Sequence, residues 1–326
     1  MAPVDGRATG LCESEGVHPA AESIARRTSR PRGYLACAAA GALWGTGFFF
    51  GKIALREVSV GHMVLYRFLF ATLAVLPLAI RPSGKWSRRD WTILAVSAFF
   101  GVPLQFLVQF QGLSMTTLAH AALMIGTMPV ILAAAAAVFL HERMDKVGWA
   151  SLVASTLGAC LIALGRSGGA STVVGDGLIV LSLVIALVWI LGNRELLNRH
   201  STLAVTARSI IVGTIMMAVW VTLQYGPPPV HGVSMKAWLC LAASGFLCTA
   251  ATTVLWNWGM TQVPASEAGI FLNMEPVIGS VLGVAVFHEQ LGPTAWLGGA
   301  LIVGSAVVLS TQSSGGAEVA VLAPLA

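Results

Sequence analysis

Charge is what this chain has least of. Only 10% of its 326 residues are Asp, Glu, Lys or Arg, while 56% are hydrophobic types; soluble domains carry roughly a quarter charged residues. At a mean hydropathy of +0.80, a water-soluble fold would expose aggregation-prone apolar patches. A soluble globular protein is therefore excluded, and a lipid bilayer is the solvent that fits. Cysteine is sparse as well. Cys12, Cys37, Cys160, Cys240 and Cys248 are odd in number, form no CxxC pair, and lie in apolar stretches apart from Cys12. They supply no disulfide framework and no metal knuckle, and read as small packing residues. No GxxxxGK[ST] phosphate loop is present and the connections are too short for a nucleotide-binding domain, so the chain itself should not hydrolyse ATP. A net charge of +5 could suggest nucleic acid, but no Lys/Arg cluster is interleaved with exposed aromatics, so no nucleic-acid partner is expected. Nor is a cofactor or metal.

What is present is apolar length. Ten runs, approximately 33–55, 61–80, 91–113, 118–140, 147–165, 177–195, 203–223, 236–259, 264–287 and 295–312, are each long enough to cross a core of about 30 Å as a helix. The expected fold is an all-α integral membrane protein with ten transmembrane helices. Residues 1–32 hold nine of the thirty-three charged residues and read as a flexible cytoplasmic tail, as do the Gly/Ser/Ala-rich residues 313–326. The first apolar run, from Gly33, is too long for a signal-peptide core and is followed by others, so it reads as a span. Short connections make consecutive helices antiparallel. With the N-terminus inside, the tail and inner loops hold thirteen Lys and Arg, among them Arg81, Lys85, Arg88, Arg89, Arg143, Lys146, Arg194 and Arg199; outer loops hold only Arg56, Arg166 and Lys236. That bias predicts that both termini are cytoplasmic.

The chain also repeats itself. Met128-Pro129-Val130-Ile131, His141-Glu142 and Trp149 match Glu275-Pro276-Val277-Ile278, His288-Glu289 and Trp296 at a single offset of 147. Trp44 pairs with Trp189, and Arg67 with Arg208, at slightly drifting spacings. A duplicated unit of five helices, an odd number, inserts its second copy upside down, so the expected organisation is two inverted repeats, 33–165 and 177–312, joined by a linker at 166–176. Secondary transporters use this architecture, with substrate near the midplane between the repeats.

These features resemble the EamA-type branch of the drug/metabolite transporter superfamily. The resemblance rests on five plus five helices, a Pro-Val in helices 4 and 9 followed thirteen residues after the proline by a Glu at the helix end, and a Trp in each of helices 1 and 6. It covers roughly residues 33–312 and implies an inner-membrane exporter of small metabolites, such as amino acids, purine-related compounds or toxic amphiphiles.

Candidate site residues follow from polar groups at depth. Glu275 falls near the centre of its span, where an ionisable group costs several kcal/mol unless it pairs, faces water or is protonated. It reads as a counter-ion for a substrate amine or as a proton carrier; a structural hydrogen bond to a carbonyl freed by Pro276 is the alternative. Gln105 and Gln109 share a helix face and could line a cavity or bond between helices. Asn257 and Asn273 carry the same two readings, although Asn273 and Glu275 cannot face one narrow cavity. Trp44 and Trp189, halfway along their spans, could offer aromatic faces to an ammonium or a planar ring, or simply pack. Arg67 and Arg208 are explained by snorkelling to headgroups; facing the cavity, either could hold a substrate carboxylate or pair with Glu275. The two His-Glu doublets lie a bilayer apart, cannot share a metal ion, and read as interfacial residues ending helices.

The function expected is alternating-access export of a small molecule, with import or bidirectional facilitation as the alternative. Protons as coupling ion and assembly as a homodimer are compatible with it. A membrane-embedded enzyme would need clustered acids or a Ser/His or His/Glu constellation on one side, which the sequence lacks. An accessory scaffold would need no carboxylate at mid-span.

Overall fold

The computed structural model describes residues 19–79, 84–115, 124–164, 173–287 and 292–321. Among them every regular element is a helix. In chain order these are α1 (Pro19–Ala54), α2 (Val60–Ala79), α3 (Arg88–Phe99), α4 (Gln105–Ser114), α5 (Met128–Phe139), α6 (Lys146–Leu164), α7 (Val173–Leu197), α8 (Thr202–Tyr225), α9 (Met235–Gly245), α10 (Thr252–Gln262), α11 (Ala265–Ala268), α12 (Met274–Phe287) and α13 (Pro293–Val321). Helix lies on each of the ten apolar runs. Among the described residues, six helices are long and apolar enough to cross a membrane: Arg30–Gly51, Val60–Ala79, Arg88–Gly112, Val173–Leu197, Thr202–Tyr225 and Met235–Gln262. α1 begins at Pro19 and α13 ends at Val321, so helix enters both stretches expected as tails. Residues 1–18 and 322–326 lie outside the described residues.

Three expected helices are interrupted, each for a local reason. α3 passes into α4 through a π turn at Phe100–Leu104. Pro103 within it has no N–H to donate, and the Gln105 amide instead reaches Phe100 O, five residues back. α9 passes into α10 through a second π turn, Phe246–Ala251. There the Thr249 hydroxyl donates to Ser244 O at 3.1 Å, occupying a carbonyl the wider turn releases. The run expected as one helix over 264–287 is α11, a 3₁₀ segment Gly269–Asn273, and then α12. Glu275 therefore stands in the first turn of a helix, where the dipole favours a carboxylate. The matching helix of the first half, α5, starts at Met128 with Pro129 in its first turn, a position where a missing N–H costs nothing.

Elements from the two halves of the chain interleave. α1 packs on α10 and α12, α4 on α7, α2 on α8, and α6 along α13. Two large apolar clusters result. One is built around Tyr34, Leu132, Ile179, Trp256 and Phe271; the other around Met63, Phe68, Val102, Ile210 and Met217. Outward-facing Leu73, Val138, Leu223 and Leu239 remain well exposed, as befits side chains that face lipid. The close approach of α1 to α12 requires Gly45, because a Cβ there would sit 2.6 Å from Glu275 O.

Candidate functional site

Between the two apolar clusters lies a cavity of about 140 Å³ bounded by elements of both halves. Trp44 and Gly47 reach it from α1, Arg67 and Phe68 from α2, Gln105 and Gln109 from α4, Trp189 from α7, Ser209 from α8, Thr249 and Thr253 from the α9–α10 region, and Glu275 from α12. Six of the nine sequence candidates thus share one space: Glu275, Trp44, Trp189, Gln105, Gln109 and Arg67. The other three do not line it. Asn257 Nδ2 donates to Thr206 Oγ1 at 2.9 Å, tying α10 to α8. Asn273 Nδ2 donates to Ser155 Oγ at 2.6 Å, tying the 3₁₀ segment to α6. Both bonds correspond to the interhelical reading of these residues. The Arg208 guanidinium lies 4.3 Å from the Trp86 ring and 5.6 Å from that of Trp91, by the start of α3.

Arg67 departs from the snorkelling expectation. It is 5% exposed, and its side chain stays at depth because the second π turn offers it partners. Nε donates to Thr249 Oγ1 at 2.6 Å and Nη2 to Cys248 O at 2.8 Å. Its guanidinium also stands 5.3 Å from the Phe106 ring. Glu275, half-buried, lines the same cavity. The walls are fixed by packing. Trp44 lies 5.5 Å from the buried Trp256, and Trp189 Nε1 donates to Ser209 Oγ at 3.2 Å. Trp189 can sit where it does only because residue 101 is glycine, since a Cβ there would come within 2.3 Å of the tryptophan.

The face of the bundle where α1 enters is tied together across the two halves. Just past the end of α5, His141 is left-handed (φ 54), and the Glu142 amide turns back onto Ala136 O at 3.2 Å. That turn aims the Glu142 carboxylate at the start of α11, where it accepts from Ala265 N at 3.1 Å, Ser266 N at 3.0 Å and Ser266 Oγ at 2.9 Å. Arg194, from the end of α7, approaches Glu142 at 3.7 Å and donates to Val263 O at 3.3 Å. Tyr34 of α1 donates to Glu267. The His141-Glu142 doublet does end its helix, as expected, but Glu142 also holds the opposite half. Residues 288 and 289, the second doublet, lie outside the described residues. At the opposite face Glu57 caps the start of α9, accepting from Ser234 N at 2.6 Å and Ser234 Oγ at 2.7 Å. These two bonds hold the Glu57 carboxyl below its ordinary value.

Sequence reasoning missed Ser209, Thr249 and Thr253 in the lining, and the cross-half role of Glu142 and Arg194. Hydroxyls in an apolar run such as Phe246-Leu247-Cys248-Thr249-Ala250-Ala251-Thr252-Thr253 were the available signal. Among the described residues no three His, Cys, Asp or Glu side chains converge on a point that could hold a metal.

A multi-pass helical bundle around a charged, aromatic-walled cavity has the form of a membrane transporter, and comparison with known proteins gives the family. The model of the EamA-like transporter family matches residues 31–164 and 173–311; the chain belongs to that family and is a transporter, not an enzyme. An uncharacterized transporter of Archaeoglobus fulgidus is 27% identical over 82% of this chain and 93% of its own length. A Streptantibioticus cattleyicolor protein named "Probable terminal-alkyne amino-acid exporter" is 25% identical over 83% of this chain and 91% of its own. One solved crystal structure superposes with a TM-score of 0.72, covering 88% of this chain and 99% of that one, at 19% identity. That similarity shows a shared fold.

Proposed function

We propose that this transporter exports small metabolites, such as amino acids or related amphiphiles, across the inner (plasma) membrane by alternating access. The observation that carries the reading is the cavity itself, in which an acid, a base and two tryptophans drawn from both halves surround one space. Two inverted five-helix repeats, 33–165 and 177–312 with a linker at 166–176, account for the way the halves meet. The family model matches two stretches of similar length. The two π turns, Phe100–Leu104 and Phe246–Ala251, sit about one repeat apart, as do the starts of α5 at Met128 and α12 at Met274.

In this reading both termini are cytoplasmic. The face closed by Glu142, Arg194, Tyr34 and Glu267 is then the cytoplasmic one, and the cavity, whose lining extends to Phe110 and Ile125, reaches toward the outside. Breaking the cytoplasmic ties and rocking one repeat against the other would open the same cavity inward, as inverted-repeat transporters do. Glu275 serves as counter-ion for a substrate amine or as the carrier of a coupled proton. Trp44 and Trp189 present their faces to the substrate, and Gln105 and Gln109 supply hydrogen bonds.

The test compares extracellular metabolites of cells overproducing the wild type, cells producing Glu275→Gln at matched membrane levels, and cells with empty vector. Export predicts a compound class that accumulates outside only with the wild type. Accumulation inside the cells would reverse the direction. Equal accumulation with Glu275→Gln would remove that carboxylate from the mechanism.

A further inference from the structure

We propose that Arg67 is the carboxylate-binding group of the cavity, so that substrates must carry a free carboxylate. The proposal deepens the export reading by naming the chemistry one wall of the site selects. A guanidinium has five N–H donors. At Arg67, Nε is committed to Thr249 Oγ1 and Nη2 donates to Cys248 O, which fixes one edge of the planar fork. The Thr249 hydroxyl is itself oriented by its bond to Ser244 O at 3.1 Å. The socket is therefore built by the π turn of Phe246–Ala251, because that turn places Cys248 O and Thr249 Oγ1 side by side. Nη1 takes no part in these bonds and points toward Gly47 on the cavity wall, 3.7 Å from the position a Cβ there would occupy.

A buried cation with an uncommitted edge needs an anion. Among the described residues no carboxylate lies within the 4.0 Å of an ion pair with Arg67. Glu275 lines the same cavity without making that contact. An acid and a base that line one cavity without forming an ion pair match a ligand that carries both charges. Its carboxylate takes two parallel bonds from the outer edge of Arg67, a geometry for which guanidinium is suited, and its ammonium faces Glu275. Arg67 then does what Glu275 cannot, because a lone carboxylate would accept any amine. A site that hydrogen-bonds a substrate group rejects the analogue lacking it far more strongly than an apolar pocket rejects a size change.

The test uses the full chain, purified in detergent, and measures thermal stabilisation by each standard amino acid and by the corresponding amino-acid amide. The amide keeps the amine and side chain but has no carboxylate. The expected result is that at least one amino acid binds and its amide binds roughly tenfold more weakly or worse, as when a charge-assisted pair is lost from a desolvated site. Arg67→Lys, which keeps the charge but not the fork, should narrow the gap between acid and amide, and Thr249→Val should do so while Arg67 remains. A purely structural Arg67 would lower the melting temperature in these variants without moving the acid-to-amide ratio. Amides that bind as well as acids overturn the proposal, as does stabilisation by neither series. Both results leave the export measured in cells standing, so the two readings fail separately.

Discussion

Glu142 offers the most direct test of the closed face. Its carboxylate accepts three hydrogen bonds from Ala265 and Ser266 and approaches Arg194 at 3.7 Å, joining residues 123 and 124 positions apart. Glu142→Ala leaves the amides of Ala265 and Ser266, residues that are 0% and 3% exposed, without their acceptor. Single hydrogen bonds to charged groups are worth about 1.5–3 kcal/mol, and neighbouring ones do not sum fully, so we take about 2–4 kcal/mol for the set. If these bonds exist only when this face is closed, their loss shifts the equilibrium toward the open form by roughly 30- to 1,000-fold. Cys37 is a native reporter, because it is 0% exposed and packs against Gly259 near the same face. In a background whose other cysteines are replaced, a thiol reagent should label Cys37 at least about 30-fold faster in Glu142→Ala than in the parent, with Glu142→Gln between them. A second reporter, Gln109→Cys in the cavity, should become slower to label from outside in the same variant. That reciprocal change separates rocking from unfolding, which would speed both. An unchanged Cys37 rate, or acceleration at both positions, refutes the role given to Glu142.

Three further predictions follow from individual contacts. Gly101→Ala forces a methyl group into Trp189, an overpacking cost of about 1–3 kcal/mol, and the displaced ring should reduce export of bulky substrates more than small ones, read as a change in relative export rates. Asn273→Ala removes the 2.6 Å bond to Ser155 but no cavity wall; it should cost about 1 kcal/mol of stability, seen as a lower melting temperature, with substrate preference unchanged. Glu57 has a depressed pKa because of its bonds to Ser234, so its contribution is present above the ordinary glutamate value and is lost as pH falls through the lower folded-state value. The melting temperature of wild type should therefore exceed that of Glu57→Gln at neutral pH, and the gap should close only in acid below the ordinary carboxylate range. A gap that closes on alkalinisation contradicts this assignment.

How far the molecule can be read from its sequence depends on where the backbone is regular. Apolar length located helix on all ten runs, and depth along those runs singled out Glu275, Trp44 and Trp189, which share the cavity. Depth could not separate Arg67 from Arg208. Both sit a few residues into their helices, and what distinguishes them is a hydroxyl and a carbonyl about 180 positions away for Arg67, against the Trp86 and Trp91 rings for Arg208. Nor could helical periodicity say which of Gln105, Asn257 and Asn273 faces inward. A π turn adds one residue to a helical turn and so rotates everything beyond it by about 100° relative to an unbroken helix. Gln105 and Gln109 lie just past one such turn and Asn257 just past the other, while Asn273 closes a 3₁₀ segment. The positions that defeated the periodic reading are thus the ones that build the site. The first π turn supplies Gly101, which seats Trp189; the second supplies the Thr249 and Cys248 groups that hold Arg67; and the break before α12 puts Glu275 in the first turn of a helix. An unbroken helix consumes its own carbonyls and amides and has none to offer a charged side chain in a bilayer. Departures from regular helix are what allow an acid and a base to stand in this apolar bundle, and they are where local sequence rules should be expected to fail.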